Sequence, residues 1–224
     1  MQVCAQVARW TIVLLLCVAR CAAQTGSDTS SAPKPNPTTQ TASPTWSYNA
    51  SIAGFLVPND QSYGQPTFMA DRKWLHLEAR YNNEALQTGS LWIGYDLSWG
   101  KQLTVDLTPI FGGVFGKLNG VAPGYELTMT YKQRWMLYSS GELVIDVENR
   151  VGNFFYAWNE ASYSLKNRLR FGAAAQRTRV YVTPVGVQRG PLIGYSRGKW
   201  QFTTYVFIPG ASTPTVVLNL GRSF

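Results

Sequence analysis

The feature that most constrains this sequence is an alternation of apolar and polar residues that recurs from residue 46 to residue 224. A clear instance is the series Leu91, Ile93, Tyr95, Leu97 and Trp99, whose intervening positions are mainly small or polar. Successive side chains of a β-strand point to opposite faces, so a period of two predicts strands, and helical spacing fits these segments less well. The sequence therefore predicts an all-β domain whose strands each carry one apolar face.

A soluble β-sandwich would alternate in the same way, but the ends of the apolar faces favour a barrel in a lipid bilayer. These ends carry aromatic residues, as the membrane-interface girdles of β-barrels do. The girdle candidates are Trp99, Tyr131, Trp135, Tyr163, Trp200 and Phe224. The predicted strands are also long enough to cross a bilayer at a tilt. Charged residues make up only 14% of the chain, against about a quarter in a usual soluble domain.

The chain stops on an apolar strand, Thr215 to Phe224, whose last residue is aromatic. In this respect it resembles bacterial outer-membrane β-barrel proteins, whose final strand commonly ends in phenylalanine. Arg222 departs from that pattern, because the family prefers an apolar or aromatic residue there. The resemblance implies a porin-like barrel in the outer membrane of a Gram-negative-type bacterium, in contact with its lipids. It also implies that the barrel-insertion machinery reads the last strand. It points to no characterised family within the class.

Two kinds of connection alternate along the predicted barrel. Five are short, basic and close to aromatic residues, such as 71–74 and 197–200, and six are longer and rich in Gly, Asn and Pro. The longer loops are predicted at 57–66, 82–89, 113–124, 148–153, 181–187 and 209–214. Eleven connections give a transmembrane, antiparallel, up-and-down barrel of twelve strands, with ten strands as the alternative. An even number places both ends of the barrel on one side of the membrane, with the short turns facing the periplasm.

The chain divides into three predicted regions. Residues 1–23 form a secretory signal peptide, residues 24–45 a disordered linker rich in Pro, Thr and Ser, and residues 46–224 the barrel. All three cysteines lie in the predicted signal peptide, so its removal excludes disulfides and thiolate metal sites. Removal also lowers the net charge from +8, since Arg9 and Arg20 leave with it. No run of like charges is present to favour nucleic-acid binding, whereas the linker is a candidate contact for a periplasmic partner.

The faces opposite the apolar faces are predicted to line the lumen. The lumen candidates are His76, Glu78, Arg80, Asp96, Asp106, Glu126, Glu142, Asp146, Glu160 and Arg170. Charges of both signs are expected either in a closed, ion-paired interior or in a narrow aqueous pore. Barrels of about 8 strands are filled by side chains and those of 16–18 strands are open, so twelve strands lie between the two cases. We expect a narrow passive channel for small polar solutes, with a closed structural or interaction barrel as the alternative.

Signals for chemistry are weak in this sequence. A lipid hydrolase of the outer membrane is a third, less favoured hypothesis, because it needs a histidine with a serine and a third group that orients them. His76 is the sole histidine, and its placement beside Glu78 favours a structural pair. We therefore predict no catalytic residues, no metal site and no cofactor. Three arginines near the outward strand ends are candidates for binding lipid phosphates, which suit the bidentate guanidinium. These are Arg177, Arg179 and Arg189.

Overall fold

A computed structural model describes residues 45–58, 60–148, 152–166, 168–180, 186–208 and 214–224. The predicted signal peptide and nearly all of the predicted linker therefore lie outside the described residues. The described chain forms β1 (Ser47–Leu56), β2 (Tyr63–Arg72), β3 (Leu75–Tyr81), β4 (Thr88–Tyr95), β5 (Leu97–Gly100), β6 (Leu103–Gly116), β7 (Gly120–Tyr131), β8 (Trp135–Asp146), β9 (Phe154–Ser164), β10 (Leu169–Val180), β11 (Gly186–Arg197), β12 (Trp200–Phe207) and β13 (Thr215–Ser223). None of the described segments is a helix with the length and apolar character needed to cross a membrane.

The segments close into one antiparallel barrel. Apart from β4 and β5, which both pair with β6, consecutive segments pair with each other, and β1 pairs with β13. Gly94 pairs with Ile110 and Leu97 with Leu107, so the register is continuous across Asp96 and β4 and β5 are two halves of one strand. Within the described ranges the barrel therefore has twelve strands, which confirms the sequence prediction.

The exterior of the barrel is apolar and much of its interior is polar. Leu91 exposes 60% of its surface, whereas Glu78 exposes 4%. The same contrast recurs around the wall, where large apolar side chains such as Phe111, Leu137 and Ile193 are more than half exposed. A soluble sandwich would bury these side chains, because exposing each one to water costs about 1.5–3 kcal/mol. The pattern is that of a barrel surrounded by lipid.

The connections define two ends of the barrel, which we call the turn end and the loop end. The turn end carries the five short connections, and the loop end carries the longer ones and the connection between β6 and β7. Gly100 closes β5 at the turn end with a φ of 101°, where a Cβ atom would meet the carbonyl oxygen of Leu103. A glycine is therefore required at that turn.

The predicted long loop at 113–124 is wrong. β6 continues to Gly116 and β7 starts at Gly120, so only residues 117–119 connect them. Glycines in and beside this segment serve close packing within the strands instead. Gly112 lies against the ring of Trp92, and Gly120 lies against the backbone of Ile145, so neither position has room for a side chain.

Two apolar clusters occupy part of the interior near the loop end. One contains Phe55, Ala174, Leu192, Tyr205, Phe207 and Val217. The other contains Trp92, Ile110, Val114, Ala122, Val144 and Phe154. Both clusters consist of residues from the lumen-facing sets of their strands. The lumen is therefore narrowed by apolar side chains near the loop end, and its polar groups concentrate between these clusters and towards the turn end.

Candidate functional site in the barrel lumen

One guanidinium, that of Arg80 on β3, lies among four carboxylates of the described lumen. Its Nη2 donates to Glu78 Oε2 at 2.6 Å, and its Nη1 donates to Glu142 Oε2 at 2.8 Å. Glu126 and Glu84 lie 3.5 Å and 3.9 Å from the same group. The Arg80 side chain is 9% exposed, so these interactions lie away from bulk water. The group joins β3 to β7 and β8, and its carboxylates outnumber its cation.

An aromatic ring and a short hydrogen-bond chain hold this group in place. The Arg80 guanidinium carbon lies 4.4 Å from the ring centroid of Trp92, within cation–π range. The indole Nε1 of Trp92 donates to Ser90 at 2.9 Å, and the Ser90 hydroxyl donates to Glu84 Oε1 at 2.7 Å. Glu84 belongs to the connection between β3 and β4, and its other oxygen has no hydrogen-bond partner among the described residues. Burial raises the pKa of the Glu84 carboxyl.

The carboxylate of Glu160 on β9 has a different, balanced environment. Arg170 Nη1 donates to its Oε2 at 3.0 Å. Trp158 Nε1 and the Tyr205 hydroxyl donate to its Oε1 at 2.9 Å and 2.7 Å. Arg170 also donates to the Thr203 hydroxyl at 3.1 Å. One cation therefore neutralises one carboxylate here, unlike the group around Arg80.

Nearer the turn end, three strands bring together a histidine and two aspartates. His76 Nδ1 lies 2.6 Å from Asp71 Oδ1, and Asp96 accepts a hydrogen bond from the Thr108 hydroxyl at 2.7 Å. Asp71, His76 and Asp96 each offer a ligand atom, and these atoms lie within 4.8 Å of one another. Imidazole and carboxylate are ligands that divalent cations accept. The sequence alone did not reveal this group, because its members come from three separate strands.

The last two lumen candidates lie near opposite ends of the barrel. Asp106 is exposed at the turn end, where it accepts a hydrogen bond from the Ser98 hydroxyl. Asp146 ends β8 at the loop end and accepts a hydrogen bond from the backbone of Glu148 at 2.8 Å. Carboxylates therefore also occur near both ends of the described lumen.

A cavity of about 670 Å³ lies inside the barrel. Six carboxylates and a single guanidinium line it within the described residues: Asp60, Glu78, Glu84, Glu126, Glu142 and Glu160, with Arg80. Neutral hydrogen-bonding groups line the opposite wall, including Gln176, whose amide donates to Gln188 at 2.7 Å. The cavity can accept small polar solutes, and its charged lining is strongly acidic.

The predicted girdle residues lie on the exterior at the turn end. Trp99, Tyr131, Trp135, Trp200 and Phe224 are exposed there, and Tyr163 is half-buried against the Trp135 ring, 4.8 Å away between centroids. The predicted lipid-phosphate arginines lie on β10 and β11. Arg177 and Arg189 are exposed on the outer wall, and Arg179 pairs with Phe155 while its side chain lies outside the described residues.

Sequence comparison gives no relatives for this chain. It matches no family model, and no curated protein is similar in sequence. Comparison of folds gives a different result. The chain is similar to the KdgM porin, with a TM-score of 0.57 and 9% identity over 79% of this chain and 99% of that one. A second structure, the KdgM porin in complex with disordered oligogalacturonate, aligns with a TM-score of 0.56 and 7% identity over 79% and 98% of the two chains. The chain therefore has the fold of a porin-class outer-membrane barrel.

Proposed function

We propose that this protein is a narrow passive channel for small polar solutes in the outer membrane of a Gram-negative-type bacterium. The observation that carries the proposal is a polar cavity of about 670 Å³ inside a closed barrel whose exterior is apolar. Solutes would diffuse through the lumen without a chemical step. The porin fold supports the same interpretation.

Membrane placement follows from the exterior surface. The exposed apolar belt would contact lipid, and the aromatic residues at the turn end would lie at the periplasmic interface. Arg177 and Arg189 would contact lipid phosphates in the outer leaflet. The strand that ends at Phe224 would be read by the insertion machinery, and residues 24–45 remain a candidate contact for a periplasmic partner.

The acidic lining of the cavity argues against oligogalacturonate as a ligand of this chain. Oligogalacturonate is a chain of carboxylated sugars, and the six carboxylates around the cavity would repel it. We therefore propose small neutral or cationic solutes in place of acidic oligosaccharides.

We propose no catalytic activity. His76 Nδ1 is bonded to Asp71, whereas its Nε2 has no hydrogen-bond partner within the described ranges. A serine hydrolase needs a nucleophilic hydroxyl at that second nitrogen, whereas the Nε2 of His76 lies 3.8 Å from Glu78 Oε2, which argues against such a site at His76.

A closed structural barrel is the second candidate, and one observation favours it. The Arg80 group joins β3 to β8 through Glu142, and two apolar clusters fill part of the lumen near the loop end. A side-chain network of this kind also stabilises barrels that conduct nothing.

Conductance of the purified, refolded protein in planar bilayers separates the two candidates. A channel gives stepwise currents, and Ser51→Trp should reduce them because Ser51 lines the cavity. Ile52→Trp is the matched control, since Ile52 is exposed on the exterior and the added ring would contact lipid. The absence of current steps, or equal currents from the two variants, would reject the channel.

A further inference from the structure

The charges that face the lumen differ in sign from the charge of the whole chain. The sequence carries a formal net charge of +8, from which an anion-selective pore would be expected. The cavity lining instead has six carboxylates and one guanidinium among the described residues. We infer that the lumen conducts cations in preference to anions, an inference that rests on the proposed channel function.

The basic residues of the barrel lie mainly outside the lumen. The exposed ones at the turn end include Arg72, Lys101, Arg134, Arg197, Lys199 and Arg222. Arg222 shows how they are held, because its guanidinium lies 4.9 Å from the ring centroids of both Trp200 and Phe224 on the outer wall. Cations on the outer wall at the turn end would lie close to lipid headgroups, so they do not offset the carboxylates of the cavity.

The guanidinium of Arg80 offsets only part of the acidic charge around it. Two carboxylates, those of Glu78 and Glu142, hydrogen bond to it directly. Glu126 lies 3.5 Å away and Glu84 3.9 Å away, so four carboxylates surround one guanidinium. The nearest other group that can carry positive charge is the His76 imidazole, whose Nε2 lies 3.8 Å from Glu78 Oε2, and the carboxylates still outnumber these two groups. Arg170, the other lumen arginine, already pairs with Glu160 at 3.0 Å.

A second observation is compatible with a cationic occupant. Glu84 is 7% exposed and lines the cavity, and its Oε2 has no hydrogen-bond partner in the described chain. A buried carboxylate oxygen without a partner is costly. A cation within the cavity would supply the missing interaction, as a proton or a water molecule also would.

The geometry of a narrow lumen strengthens the effect of these charges. Walls of low dielectric focus the field of the lining groups on the solute path, and rings of carboxylates favour cations in known channels. The screening length is about 10 Å at 0.1 M salt. An ion inside the cavity therefore stays within reach of the carboxylates on its wall.

The test is the reversal potential of the channel across a KCl concentration gradient. A permeability ratio of K⁺ to Cl⁻ above one is expected for the unmodified protein. Glu126→Gln should lower that ratio about fourfold, because Coulomb's law in water gives about a twofold effect on each ion, of opposite sign for K⁺ and Cl⁻, from one charge about 10 Å from the ion path. Asn219→Asp adds a carboxylate to the lining at nearly constant shape, and should raise it.

Glu148→Gln is the matched control, because Glu148 is exposed on the connection after β8 and does not line the cavity. Heat-modifiable electrophoretic mobility verifies that each variant is folded before recording. A protein without currents refutes the proposed channel function itself. Currents with a ratio of one or below, or equal shifts from Glu126→Gln and Glu148→Gln, refute the cation preference and leave the channel standing.

Discussion

Replacement of Arg80 by methionine is expected to destabilise the barrel more than any other single change in its lumen. Methionine keeps part of the apolar stem but loses the guanidinium, whose nitrogens lie 2.6 Å and 2.8 Å from Glu78 and Glu142. Removing one partner of a buried ion pair costs about 3–5 kcal/mol, because the remaining charge is left uncompensated. The side chains of Arg80, Glu78 and Glu142 are 9%, 2% and 6% exposed. We therefore expect the loss of free energy of unfolding to fall within the range given for buried pairs.

Arg170→Met is the matched control for this change. Arg170 is 22% exposed, and its partner Glu160 keeps hydrogen bonds from Trp158 and Tyr205 when the guanidinium is removed. We expect Arg170→Met to cost less than half as much as Arg80→Met. The double variant Arg80→Met with Glu142→Gln should recover part of the loss, since it removes one of the uncompensated charges.

Equilibrium unfolding by urea in detergent micelles, followed by tryptophan fluorescence, measures these free energies. Mildly acidic pH should reduce the difference in free energy of unfolding between Arg80→Met and the unmodified protein, because protonation neutralises the carboxylates that lost their partner. A free energy of unfolding for Arg80→Met within about 1 kcal/mol of the unmodified protein, below the range for a broken buried pair, would refute the reasoning. A loss from Arg170→Met as large as that from Arg80→Met would refute it as well.

Three other changes test the packing, the lipid-facing wall and the loop carboxylate. Gly112→Ala places a methyl group against the ring of Trp92 and should cost about 1–3 kcal/mol in urea unfolding, whereas Gly113→Ala meets nothing within 4 Å and should be close to neutral. Ile93→Arg, near the middle of the apolar exterior, should cost about 2–4 kcal/mol in lipid vesicles; a neutral effect would contradict its contact with lipid. Burial raises the pKa of the Glu84 carboxyl in the folded state. The protonated carboxyl therefore favours the folded state at low pH, and this stabilisation is lost as the pH rises through the raised pKa. Glu84→Gln mimics the protonated form, so its stability relative to the unmodified protein should increase with pH, and a pH-independent difference in urea midpoint would contradict the assignment.

The two faces of the wall could be predicted from the sequence because they depend on residue parity alone, and the strand number followed from the alternation of short and longer connections. The lumen-facing assignment of Glu78 and Arg80 needs only the fact that alternate residues share a face. β2 was predicted from the order of the connections and is present as a strand of its own, paired with β3. The loop at 113–124 was predicted wrongly, because glycine signals a turn and close packing equally well.

The lumen network could not be predicted, since it depends on distances across the barrel. Arg80 and Glu142 are 62 residues apart in sequence, and they meet only because closure and stagger bring β3 and β8 to facing positions. Glu84 lies in a loop, where parity assigns no direction to a side chain. The cavity is likewise a balance of side-chain volumes, with the ring of Trp92 fitting only because residue 112 is glycine.

The separation of ionisable residues on the lumen face from apolar residues on the outer face links the register of the strands to the function that we propose. In β3 the lumen face carries His76, Glu78 and Arg80, and the outer face carries Leu75, Leu77 and Ala79. A slip of one residue would exchange these faces and move three ionisable groups into lipid. The cost is about 2–4 kcal/mol for an arginine or lysine at the bilayer midplane and less for an acid. The carboxylates that give the lumen its negative charge therefore also help to fix the register of the strand that presents them, so neutralising substitutions should weaken both properties together.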